Sequence, residues 1–117
     1  MDTRLAARSA HPSAVVWLDR THALVARARE GRPEVTEVDR SFDAETAYLL
    51  RVLHAAADCD RLVVMGPDAD RIALEREYVA LYRRPDRLID VGQVDIPRAA
   101  DLVDQLRILE PSLVAAH

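Results

Sequence analysis

The chain has 117 residues, half of them hydrophobic and 31% charged, with 16 basic against 20 acidic side chains and a net charge of −4. That size and balance describe one globular domain and exclude a collagen, a low-complexity tail and a broad polyanion-binding surface. A single cysteine excludes an intrachain disulfide, in keeping with a reducing compartment.

Residues 1–12 are small and polar without a period and read as an N-terminal arm ending at Pro12. They lack the apolar core of a signal peptide. The longest apolar runs, such as 14–18, fall far below the ~20 residues that span a bilayer, so a cytoplasmic protein with no membrane partner is expected. Residues 14–18 (AVVWL) form a short, Val-rich, continuous apolar run, the pattern of a strand buried on both faces. A polar turn at 19–22 leads to 23–29, where Leu24, Ala26 and Ala28 alternate with Val25, Arg27 and Arg29. That period of two predicts a half-exposed strand. Gly31 and Pro33 mark the next turn, and 34–39 alternates again, with Val35 and Val38 out of phase. The three segments predict an antiparallel meander.

The period then changes. Over 43–57, Ala47, Leu49, Leu50, Leu53, Ala56 and Ala57 recur at spacings of three and four, which predicts an amphipathic helix with Asp43 as N-cap and Phe42 as staple. Residues 61–65 (RLVVM) predict another buried strand, and Gly66-Pro67-Asp68 a tight turn. A helix is expected from about 68 to 83, with Ile72, Val79 and Tyr82 on one stripe, Leu74, Tyr78 and Leu81 beside it, and Pro85 as its stop. Residues 87–91 read as a last strand. Asp95-Ile96-Pro97 opens a third helix with Ala99, Leu102, Val103, Leu106 and Leu109 as its stripe, ended by Pro111.

The order β-β-β-α-β-α-β-α predicts an α/β fold, a ribonuclease-H-like mixed five-stranded sheet with helices on its faces. The expected organisation is one domain over 13–110 and a loose tail over 111–117.

Three strings in that order carry a resemblance: Val15-Val16-Trp17-Leu18-Asp19 with its hairpin partner Ala23-Leu24-Val25, then Leu62-Val63-Val64-Met65-Gly66-Pro67, then Arg87-Leu88-Ile89-Asp90-Val91. They resemble the central domain of archaeal and eukaryotic peptide-chain release factors and of the ribosome-rescue factor Pelota, which also exists as small stand-alone bacterial proteins. The resemblance implies a ribosomal connection. It does not imply peptidyl-tRNA hydrolysis: release factors of this type carry a Gly-Gly-Gln loop between third strand and first helix, where this chain has Asp39-Arg40-Ser41-Phe42-Asp43. Gly92-Gln93 follows the last strand, the wrong place for that motif.

The residue chemistry leaves two candidate sites. Tyr82, Arg83, Arg84 and Arg87 form the densest basic patch, able to hold RNA phosphates and stack a base; the same arginines also suit a helix C-terminus. Asp19, Asp68, Asp70 and Asp95, with Glu45, are expected near the carboxyl ends of the parallel strands, where a ribonuclease-H-like nuclease holds divalent metal. Each of those acids also suits a turn or a first helical turn. His11, His22, His54 and His117 show no metal spacing, and Cys59 between Asp58 and Asp60 is a poor nucleophile. All sixteen basic residues are Arg, spread among acids as codon bias distributes them. The expectation is a non-enzymatic, translation-associated module that binds ribosome or RNA and needs no cofactor. The alternatives are a metal-dependent phosphodiesterase using Asp19, Asp68 and Asp95, and a structural or oligomeric protein; oligomeric state is open.

Overall fold

The structure, a computed structural model, describes residues 12–56, 59–95, 97–111 and 113. The arm expected over 1–12 lies outside them apart from Pro12. The first three strands are β1 (Ser13–Leu18), β2 (His22–Arg29) and β3 (Arg32–Asp39). Helix α1 (Glu45–Ala55), strand β4 (Arg61–Met65) and helix α2 (Asp68–Tyr82) follow. A 3-10 turn at Pro85–Arg87 leads to β5 (Leu88–Gly92), and α3 (Ala99–Leu109) closes the order.

The five strands form one sheet in the order β3-β2-β1-β4-β5. β1 pairs antiparallel with β2 and parallel with β4; β2–β3 is antiparallel and β4–β5 parallel. This is the mixed sheet that the order of periods predicts. β1 sits at its centre and every one of its residues is buried, which is why its sequence is a continuous apolar run rather than an alternation.

Alternate side chains of β1 feed two cores. Ala14, Val16 and Leu18 pack with Tyr48, Leu49, Val52 and Leu53 of α1 and with Leu74 and Tyr78 of α2. Val15 and Trp17 face the other way, onto Leu102 and Leu106 of α3. The out-of-phase valines of β3 follow from this: Val38 serves the first core and Val35 the second. Trp17 is core, and its indole Nε1–H donates to the Val94 carbonyl at 2.9 Å, tying the segment after β5 onto the sheet. Glu110, itself buried, accepts from the Ser13 N–H at 2.9 Å, and Arg61 donates to the Leu109 carbonyl at 2.8 Å. These contacts lock the end of α3 to the start of β1 and β4. Leu113 continues that packing, so the tail is anchored at least this far.

Four local expectations are corrected. Ala44, not Asp43, is the N-cap of α1, with no side-chain cap; Asp43 accepts from Arg51 at 2.6 Å instead. Phe42 is fully exposed and staples nothing; it follows Ser41, which has a positive φ of 51. Asp95 does not cap α3: the N-cap is Arg98, whose N–H donates to the Asp101 carboxylate at 2.8 Å. In α2 the buried stripe is Arg71, Leu74 and Tyr78, while Ile72, Leu81 and Tyr82 are exposed.

Candidate functional site

Of the acids expected at the carboxyl edge of the parallel strands, Asp19 and Asp68 are engaged by local donors. Asp19 follows β1 in the hairpin turn, where its Oδ1 accepts from the Thr21 N–H at 2.7 Å, the Thr21 hydroxyl at 2.9 Å and the His22 N–H at 3.0 Å. Burial pushes its carboxyl up, yet these donors and the nearby His22 ring outweigh that and hold it below the usual range. Asp70 is raised, first by burial and then by the charges of Asp19 and Glu45, against the opposing pull of Arg20 and Arg40. Asp70 therefore feels the negative charges of Asp19 and Glu45, offset by Arg20 and Arg40. Arg40 is pinned there: its Nε donates to the Asp43 carbonyl at 3.0 Å and its guanidinium lies 6.0 Å from the Tyr48 ring centre.

Asp68 belongs to a different assembly. Arg71, on the buried face of α2, donates to the Asp68 carboxylate at 2.8 Å, the Gly66 carbonyl at 2.9 Å and the Asp90 carboxylate of β5 at 2.9 Å. The two hydrogen-bonded carboxylates raise the Arg71 pKa further, so it is a permanent cation clamping the β4–α2 turn to the edge strand. Asp95 lies beyond β5 and is exposed. Among the described residues no three His, Cys, Asp or Glu side chains are grouped so as to hold a metal ion.

The opposite edge of the sheet carries the second candidate. The C-terminal turns of α1 and α2 converge over the start of β4 and leave a cavity of about 380 Å³, lined by Leu53, Leu62, Tyr78, Tyr82, Asp60 and Arg87 among others. Tyr78 and Tyr82 stand one turn apart on α2, with ring centres 4.9 Å apart and planes tilted by 43°. Cys59 also lines the cavity, and burial pushes its thiol up to about 11, which keeps it protonated and inert at neutral pH.

Beside the cavity lies the basic cluster, whose Arg87 is part of the lining. Arg83 ends α2 in the left-handed conformation (φ 56), its N–H donating to the Val79 carbonyl at 2.8 Å. Arg84 makes a forked pair with Asp86 at 3.0 and 2.8 Å, which holds the Asp86 carboxyl down to about 2. Arg87 lies 3.7 Å from Asp60. Arg83, Arg84 and Arg87 thus outnumber the acids paired with them by one. Of Tyr82 and these three arginines, Tyr82 and Arg87 line the cavity, and Arg83 and Arg84 follow Tyr82 in the chain. The spacing of Leu74, Tyr78 and Tyr82, each four residues on, is the signal for a shared helix face.

No protein-family model matches the chain, and no curated protein matches it. Solved structures do. Pelota of Archaeoglobus fulgidus is similar over 94% of this chain and 35% of that one, at 15% identity and a TM-score of 0.64. Pelota of Thermoplasma acidophilum is similar over 84% and 32%, at 17% identity and a TM-score of 0.55. A further structure, described as an archaeal protein, is similar over 88% and 34%, at 11% identity and a TM-score of 0.56. The chain spans about a third of the length of these structures. At such identities the likeness is one of fold, and the five-stranded mixed sheet flanked by helices is that of a Pelota-like domain.

Proposed function

We propose that the chain is a translation-associated module that binds the ribosome or RNA and does not hydrolyse peptidyl-tRNA. The observation that carries this reading is the Pelota-like fold, shared over 94% of the chain. The cluster of Tyr82, Arg83, Arg84 and the half-buried Arg87 is its contact surface, because guanidinium groups meet phosphates and an aromatic ring meets an unstacked base. No catalytic residue or cofactor is assigned, and the cytoplasm is the compartment such a partner requires. No helix among the described residues is long and apolar enough to cross a membrane.

The overall charge of −4 makes binding local and salt-sensitive. If all three arginines meet phosphates, the slope of log K against log salt is roughly −2 for a single strand. The test is sedimentation of the purified chain with ribosomes at low and at physiological salt. Co-sedimentation at low salt that is abolished by Arg83→Glu together with Arg84→Glu supports the reading. No co-sedimentation at either salt refutes it.

A further inference from the structure

The cavity lined by Tyr82 and Arg87 has a division of chemistry that the arginines alone do not explain. Its floor is aliphatic, from Leu53 and Leu62. Its aromatic wall is stepped: Tyr78 is 3% exposed and fixed by the core, whereas Tyr82 is 42% exposed and faces the mouth. Asp60 and Arg87, an ion pair 3.7 Å apart, add an acceptor and a donor to the wall. A volume of about 380 Å³ lies within the ~300–1,000 Å³ of small-molecule pockets.

Single-stranded RNA presents the matching parts. An unstacked base offers a flat face to an aromatic ring, donors and acceptors on its edge, and phosphates on either side. Resting on the RNA-contact part of the proposed function, we infer that this cavity receives one unstacked nucleobase. The base stacks on Tyr82, Asp60 and Arg87 meet its edge, and Arg83 and Arg84 hold the flanking phosphates. Every base carries both a donor and an acceptor on its pairing edge, so stacking dominates and sequence preference is weak.

The experiment measures binding of the full chain to a short fluorescein-labelled single-stranded oligoribonucleotide by anisotropy at low salt. The comparison is the same backbone with abasic sites. Removing the bases weakens binding to the unaltered protein about 5- to 150-fold, the worth of one stacked base. Tyr82→Ala weakens binding of the intact oligonucleotide by the same factor and makes the protein indifferent to base removal, while Tyr82→Phe, which keeps the ring, restores the difference. Equal affinity for intact and abasic strands, with both weakened by Arg83→Glu, overturns the base pocket and leaves phosphate contact standing. Failure of both strands to bind overturns the pocket and the RNA-contact reading together.

Discussion

Gly66, where β4 turns into α2, is the position where one added methyl group tests the architecture most directly. Its φ of +132 belongs to a region that side-chain-bearing residues avoid. A Cβ there would fall inside the van der Waals shell of the Leu18 carbonyl oxygen, 3.2 Å from its carbonyl carbon and 3.4 Å from its nitrogen. These are backbone atoms at the end of β1, and β1 is pinned by β2 on one side and β4 on the other, so nothing can swing aside. Backbone strain of ~1–3 kcal/mol and overpacking of ~1–3 kcal/mol put the cost of Gly66→Ala at about 2–6 kcal/mol. That is a large part of the ~6–18 kcal/mol expected for a chain of this length. Gly31 supplies the control: its φ is also positive, +77, but a Cβ there meets nothing within 4 Å, so Gly31→Ala costs only ~1–2 kcal/mol. Urea unfolding followed by the fluorescence of the buried Trp17 measures both. Equal losses for the two variants would refute the close-approach argument.

Four further outcomes are expected. Arg71→Met leaves the Gly66 carbonyl without its side-chain donor and costs about 2–4 kcal/mol, mostly from that carbonyl because the paired carboxylates are open to water; a loss below ~0.5 kcal/mol in urea unfolding would show that water replaces the guanidinium. Burial, together with a proton shared with Asp90, pushes the Glu75 carboxyl up to about 7 from an ordinary 4.5. Its folded-state pKa is raised, so the stability it contributes is full below 4.5 and is lost as pH rises through about 7; thermal melting across that window should show the decline, and Glu75→Gln should flatten it. Cys59, with its thiol near 11, should react slowly with maleimide in the native protein and fast in denaturant, whereas fast native labelling would mean that the cavity opens readily. Leu102→Ala removes a fully buried side chain from the core under α3 and should cost about 2–5 kcal/mol in the same unfolding assay.

The strands were legible because each carries its environment in its period. A central strand buried on both faces reads as AVVWL, and an edge strand serving two cores reads as valines out of phase. The helix faces were harder. In α2 the interior accommodates Arg71, whose charge is satisfied by Asp68, Asp90 and the Gly66 carbonyl. A hydropathy stripe omits such a residue and rotates toward Ile72 and Leu81, which the fold leaves exposed. Caps failed for a related reason: Asp43 stands one residue before the cap of α1 and makes a longer-range bond to Arg51 instead. The basic cluster was visible as a run of arginines. The cavity beside it was not, because the end of α2 comes back to meet the end of α1 and the start of β4, about twenty residues earlier in the chain. The strand-end acids were found for sound topological reasons, but their donors, among them Thr21, His22 and Arg71, depend on turn geometry that periodicity does not encode.

The left-handed turn at Arg83 sets two selective pressures against each other at one codon. Glycine there would relieve ~1–2 kcal/mol of backbone strain and would delete a cation from the proposed contact face. Laboratory evolution toward heat resistance alone should drift to glycine at this site, while enrichment for bound partners should hold arginine. The residue that survives each regime reports which property governs that end of the helix.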